Sequence, residues 1–312
     1  MPDPSFRSLP DADCFSVTAP DGAVLPVYAK GGPAAAPGLL VAHANGLAAG
    51  SYEPWLDELA RELRVFAYDA RGHGGSSWPA GPLDEVFHVD RFAEDLALVA
   101  EAVARGLGGA PLHFAGHSLG AAAALRLGVN RKVPPWSRSI LFEPPVFPPS
   151  TSPHYVEASA KQTPLIERSA VRRAEWPSPE ALCKALATRG MFAGFRRDLL
   201  EAHCRATLRP SGEGYTLACP PEIESAIFRS HRVADTWQRL PAFAGTALLV
   251  GGDASLPERG WVSAVLPDMA ARIPGARLAV LPGAGHMMIF EQPDSCRRLV
   301  LREVVSDNAS HA

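Results

Sequence analysis

The amino-acid sequence predicts an α/β fold, a mostly parallel sheet with helices on both faces, and three observations carry that expectation. From residue 38 onward, short continuous apolar runs alternate with amphipathic stretches of helical length, the pattern of strands buried between covering helices. The rhythm stops between residues 144 and 240, where Pro144-Pro145, Pro148-Pro149, Pro177 and Pro179 punctuate helix-like pieces, and then resumes. Glycine-rich turns stand directly after two of the apolar runs, at Gly116 to Gly120 and at Gly283 to Gly285. A chain of 312 residues, 47% of them hydrophobic, buries roughly three quarters of its unfolded surface without help from disulfides or metal.

Residues 14–18 and 24–28 alternate around Pro20-Asp21-Gly22, a turn signal, and read as an opening hairpin. Further strands are expected at 38–42, 65–68, 112–115, 139–142, 247–250 and 277–281. Helices are expected at 52–62, 90–104, 119–127, 261–273 and 293–304. The interruption reads as a helical insertion after the sixth strand, dividing the chain into a core over 1–143, an insert over 144–240 and the rest of the core over 241–312. Aromatic residues of the insert, such as Tyr155, Trp176, Phe192, Phe195 and Trp237, read mainly as its own core and secondarily as the lining of a pocket beneath it.

Composition narrows the function classes. Thirty Lys and Arg against 33 Asp and Glu give a formal net charge of -3, with no basic field to attract a phosphate backbone, so nucleic acid is not an expected partner. The five cysteines are odd in number and scattered without a CxxC spacing, which argues against a disulfide framework or a zinc site and fits a reducing, cytoplasmic setting. Asp3, Asp11 and Asp13 stand where an export signal needs a basic start and an apolar stretch. No apolar run approaches the roughly 20 residues that span a bilayer, so no membrane is expected either.

The chemistry is concentrated in three short motifs. Gly116-His117-Ser118-Leu119-Gly120 follows one apolar run and precedes an Ala-rich helix. Its glycines let the chain turn sharply enough to lift the serine hydroxyl above a sheet, so Ser118 is the expected nucleophile; the ordinary alternative is a helix cap. A serine hydroxyl needs a base, and among ten histidines His286 stands on a glycine-rich loop after the last apolar run, from which it can swing towards Ser118. An oxyanion needs backbone donors, expected from Leu119 and from Asn45 in His43-Ala44-Asn45-Gly46, with Gly46 or Leu47 as substitutes. His43 and His73 read as braces of their loops, and His117 as pointing away from the serine.

Through His43-Ala44-Asn45-Gly46, Asp69 to Ser76, Gly116 to Gly120 and Gly283 to His286, in that order, the chain resembles the α/β-hydrolase superfamily over about residues 14–305. Within it, the chain looks like the capped bacterial serine hydrolases of esterase or lactonase type. The resemblance implies that the insert is the family's variable cap, and it offers two places for the triad acid. One lies three residues after the glycine ending the strand at 247–250, where this sequence has Ala254, with Asp253 one position early. The other lies just after the preceding strand, as in haloalkane dehalogenases, where this sequence has Glu143. Glu143 is favoured because its placement needs no slip in register; the ordinary alternatives are a carboxylate holding the first turn of the cap and a loop cap, respectively.

The expected function is therefore hydrolysis of a carboxylic ester or lactone through an acyl-enzyme on Ser118, with a small-molecule ester-like substrate and neither cofactor nor metal. A carbon–carbon bond hydrolase, a thioesterase or an acyltransferase could use the same residues, and a ligand-binding protein could keep the fold without catalysis. Serine in place of aspartate at the nucleophile position disfavours dehalogenase and epoxide-hydrolase chemistry.

Overall fold

The computed structural model describes residues 5–130, 133–256 and 260–308, the side chains of 305–308 excepted, so the outermost ends of the expected core segments lie outside the described residues, Asp3 among them. In chain order the strands are β1 (Asp13–Thr18), β2 (Val24–Ala29), β3 (Gly38–Ala42), β4 (Arg64–Tyr68), β5 (Leu112–His117), β6 (Ser139–Phe142), β7 (Glu175–Trp176), β8 (Leu208–Ser211), β9 (Gly214–Leu217), β10 (Ala247–Gly251) and β11 (Arg277–Val280). Eight of them form one sheet in the order β1-β2-β4-β3-β5-β6-β10-β11. The opening hairpin is antiparallel and joins β4 antiparallel. From β4 to β11 every pairing is parallel.

Both faces of the sheet are buried at β4, β3, β5, β6 and β10, and the period-two geometry of a strand divides its side chains between them. Leu40 and Ala42 of β3 point into one apolar cluster while Leu39 and Val41 point into the other. The first cluster is covered by the helices Val89–Gly106, Leu119–Val129 and Trp261–Arg272 through Phe92, Leu96, Leu125 and Val265. The second is covered by Glu53–Leu59 and Pro293–Asn308 through Trp55, Leu56, Leu299 and Val300. The first of these helices is shorter than its expected span, because the Leu59 carbonyl accepts the N–H groups of both Glu62 and Leu63 at 3.0 Å in a tight turn into β4.

The residues between β6 and β10 depart from the expected rhythm in one respect. They form helices at Tyr155–Ala170, Pro179–Leu186, Arg197–Ala206 and Pro221–Val233, but also a small antiparallel sheet in the order β7-β9-β8. Its strands have two to four residues, one carries Pro210, and β8 turns into β9 through Gly212-Glu213. Strands that short cannot display an alternation that sequence reading detects.

The parallel strands all end on the same edge of the sheet, where the loops after β3, β5, β6, β10 and β11 converge; open α/β sheets place their sites at that edge. Among the described residues no helix is long and apolar enough to cross a membrane, and no group of three His, Cys, Asp or Glu side chains could hold a metal ion. All five cysteines are free.

Candidate functional site

Ser118 leaves β5 at φ 51°, ψ -109° and opens the helix Leu119–Val129 without capping it through its side chain. Its own N–H donates to the Phe142 carbonyl of β6 (2.9 Å), which fixes the turn against the neighbouring strand. Gly120 makes the tight helix–sheet contact possible, since a Cβ there would meet the Ala42 carbonyl oxygen at 2.5 Å. Ser118 and Glu143 are the two non-glycine residues with positive φ among the described residues. A left-handed backbone at a serine and at a carboxylate costs on the order of 1–3 kcal/mol each and persists only where the surroundings enforce it, often at sites of function.

These two strained residues meet through His286. Its Nε2 lies 3.1 Å from Ser118 Oγ and its Nδ1 lies 3.0 Å from Glu143 Oε2. Glu143 is fully buried, and its other oxygen, Oε1, accepts the Gly252 N–H at 2.8 Å and the Ser263 hydroxyl at 2.5 Å. Three donors thus satisfy a carboxylate that would otherwise be costly to bury. The arrangement lets His286 accept a proton from Ser118 at Nε2 while Glu143 holds the Nδ1–H tautomer.

Asp253 does not join this chain. It is half-buried, with Oδ1 accepting from the Ser255 N–H and hydroxyl and Oδ2 from the Gly283 N–H (3.0 Å). Those hydrogen bonds hold its carboxyl below the usual carboxylate range, Ser255 being the largest contributor. Asp253 therefore braces the loop that carries His286, and its N–H donates to the Ala284 carbonyl (2.7 Å) of the same loop.

The loop after β3 has three candidate donors, and two are already engaged. Gly46 N–H donates to His73 Nε2 (3.0 Å) and Leu47 N–H to the Ala44 carbonyl (3.2 Å). Among the described residues neither the Asn45 N–H nor the Leu119 N–H has a protein acceptor. Gly120 N–H donates to the His43 carbonyl (3.1 Å), which ties this loop to the first turn of the serine's helix. Two neutral imidazoles support the loop from below: His43 Nε2 accepts the Ala70 N–H (3.0 Å), and His73 Nδ1–H donates to the Arg71 carbonyl (3.0 Å).

Sequence reading assigned no connecting role to the residues that join these parts. Tyr52 Oη accepts the Ala44 N–H (3.1 Å) and donates to His117 Nδ1 (2.7 Å), and His117 Nε2–H donates to the His286 carbonyl (2.9 Å). The histidine inside the elbow thus links the loop after β3 to the backbone of His286. Glu291 accepts the Gly285 N–H at 2.5 Å, and burial pushes its carboxyl up. From its position in the sequence His117 reads only as pointing away from the serine; Tyr52, Ser263 and Glu291 carry no local signal.

The buried histidines give the fold a pH signature. Burial pushes His117 and His203 down to about 3 and His231 down to about 4, from an ordinary 6.5, and lowers His43 and His73 as well. The folded state therefore binds fewer protons than the unfolded one, so stability is complete above the unfolded value and is lost as pH falls towards the folded values. Each such group contributes a slope of about 1.4 kcal/mol per pH unit inside its window. Urea unfolding is expected to show stability falling by several kcal/mol between pH 6.5 and pH 4; a flat profile would mean that these rings are not held neutral.

Two surface grooves, of about 620 and 710 Å³, lie on the insert and around its first loop, and neither is lined by Ser118, His286 or Glu143. The hydrogen-bond geometry, not groove size, marks the site.

Comparison with known proteins agrees with this architecture. The structure of E-2-(acetamidomethylene)succinate hydrolase matches with a TM-score of 0.72 at 20% identity, covering 94% of this chain and 100% of that one. The thioesterase domain from the curacin biosynthetic pathway matches at 0.70 and 18% identity, covering 93% and 99%. The enol-lactonase from Burkholderia xenovorans LB400 matches at 0.62 and 20% identity, covering 90% and 96%. No curated protein matches the sequence. Identities this low carry the fold and not the substrate. The sequence profile described as the alpha/beta hydrolase family matches residues 39–299, from β3 into the last helix and through every parallel strand, and the chain belongs to that family.

Proposed function

We propose that the protein is a serine hydrolase that cleaves a carboxylic ester or a lactone through an acyl-enzyme on Ser118. The observation that carries this reading is the unbroken path from Ser118 Oγ through His286 (3.1 Å) to Glu143 (3.0 Å). Ser118 Oγ attacks the carbonyl carbon as its proton passes to His286 Nε2, and the carbonyl oxygen becomes an oxyanion held by the N–H groups of Leu119 and Asn45. Collapse expels the alcohol, which takes the proton from His286. Water then attacks the acyl-enzyme with His286 as base, releasing the acid and restoring the serine.

Glu143 orients His286 and stabilises the imidazolium formed at each step. Residues 144–240 serve as the cap that selects the acyl and alcohol parts. No cofactor or metal enters these steps, the substrate is a small ester-like molecule, and the five free cysteines support a cytoplasmic site of action. The enol-lactonase and the thioesterase domain among the structural neighbours support acyl-transfer chemistry on this scaffold.

The test is hydrolysis of p-nitrophenyl esters of increasing acyl length and of small lactones by the wild type and Ser118→Ala. Turnover is expected to fall about 10⁴-fold or more in the variant, and the preferred length sizes the acyl pocket. Wild-type turnover that survives Ser118→Ala, or a wild type that neither turns over nor reacts with a fluorophosphonate, would overturn the reading.

A further inference from the structure

The loop that carries Asn45 is gripped from the insert as well as from the core. Asn45 Nδ2 donates to the Glu224 carbonyl (3.0 Å), across 179 residues of sequence. The Glu224 carboxylate lies over the next residue so closely that a Cβ on Gly46 would sit 2.8 Å from Oε1, and Gly46 has φ +75°, a conformation suited to glycine. Glu224 is 8% exposed. A largely buried negative charge therefore stands over the residue next to Asn45, whose N–H, in the reading above, receives another negative charge. Taken alone, that is an unfavourable place for an acid.

Arg172 resolves the conflict. Its Nη1 lies 2.5 Å from Glu224 Oε2 and 3.5 Å from the position of the missing Gly46 Cβ, so the cation reaches the same point of the loop as the carboxylate. Glu224 also sits in the first turn of the helix Pro221–Val233, where the helix N-terminus favours an acid. Arg172 itself lies just past the end of the helix Tyr155–Ala170, so the pair unites two insert helices over one loop of the core.

We infer that Arg172 and Glu224 are positioning residues that form a charge-compensated clamp on the oxyanion loop, so that hydrolysis depends on the insert being seated. The inference rests on the reading of Asn45 and Leu119 as oxyanion donors. Neither clamp residue touches the reacting atoms: Glu224 sets the loop, and Arg172 prevents Glu224 from opposing the charge that forms there.

This arrangement makes an uncommon prediction about a pair of variants. Arg172→Ala leaves the carboxylate uncompensated, and it is expected to lower kcat on p-nitrophenyl esters about 10–100-fold while KM changes by less than about threefold. Glu224→Gln keeps the shape and removes the charge, and costs at most about fivefold. The double variant is then faster than Arg172→Ala alone by about tenfold, because the charge that Arg172 neutralised is gone. The same order is expected in the maximal rate of inactivation by an ethoxy fluorophosphonate, which places its phosphoryl oxygen where the oxyanion forms.

Losses in the double variant that equal the sum of the single ones, or a fall in KM-linked affinity with kcat intact, would overturn the clamp and leave an ordinary ion pair or a substrate contact. Unchanged kinetics in Arg172→Ala would overturn it as well. Arg172→Met, measured with its thermal midpoint, replaces Arg172→Ala if that variant does not fold. The Ser118→Ala control separates the two levels: reactivity that persists there defeats the serine reading itself, whereas a serine-dependent enzyme without rescue defeats the clamp alone.

Discussion

Replacing Glu143 by glutamine is expected to lower kcat by about 10⁴-fold with little change in KM. The substitution keeps the volume and an oxygen for the Gly252 N–H and the Ser263 hydroxyl, which occupy Oε1 at 2.8 and 2.5 Å. It changes what His286 Nδ1 meets at 3.0 Å, because an amide NH₂ donates where the carboxylate accepted. The ring then turns its tautomer, places Nε2–H towards Ser118 Oγ and loses the lone pair that takes the serine proton. The thermal midpoint is expected to move little, which separates a tautomer effect from unfolding. Asp253→Asn is the paired measurement. Its half-buried side chain bonds Ser255 and the Gly283 N–H and meets none of Ser118, His286 and Glu143, so its cost is expected to stay within about threefold. The reverse order of effects would transfer the acid's role to Asp253.

That experiment addresses a position where the sequence left two answers open. The sheet was readable because parallel strands buried on both faces produce continuous apolar runs, and Ser118 and His286 were readable as candidates because their glycine-rich turns are local. The acid was not, because the choice between Glu143 and Asp253 is made by tertiary contact. Only the folded chain shows that the carboxylate of Glu143, a residue with φ 46°, meets Gly252, Ser263 and His286. The residues that hold the site together are less readable still. Tyr52 meets His117 over 65 residues, Glu143 meets Ser263 over 120, and Asn45 meets Glu224 over 179. No periodicity connects such pairs, so a serine, a tyrosine and a glutamate of no local distinction became parts of the site only through the fold.

Arg71→Ala is expected to destabilise the protein by about 3–5 kcal/mol. The guanidinium is 1% exposed and makes a bidentate pair with Asp95, Nε and Nη2 each at 2.7 Å, while Nη1 donates to Asp21 (2.8 Å) and to the Val86 carbonyl (3.1 Å). Removing it leaves Asp95 buried without its cation, and burial already pushes that carboxyl up against the pull of Arg71. The loss should therefore shrink at low pH. In the variant the folded value of Asp95 rises further above its unfolded value, so protonation relieves the buried charge below that value and the penalty grows as pH increases through it. Arg71→Met combined with Asp95→Leu removes both charges and is expected to recover most of the midpoint in urea, because apolar replacement of a buried pair is often neutral. A single variant as stable as the wild type at neutral pH would show that the pair contributes nothing net. The position also bears on the site, since the Arg71 carbonyl accepts from His73, whose other nitrogen receives the Gly46 N–H. If the arginine side chain is scaffold alone, Arg71→Ala assayed well below its unfolding midpoint keeps its kcat, because the backbone carbonyl that anchors His73 is still present.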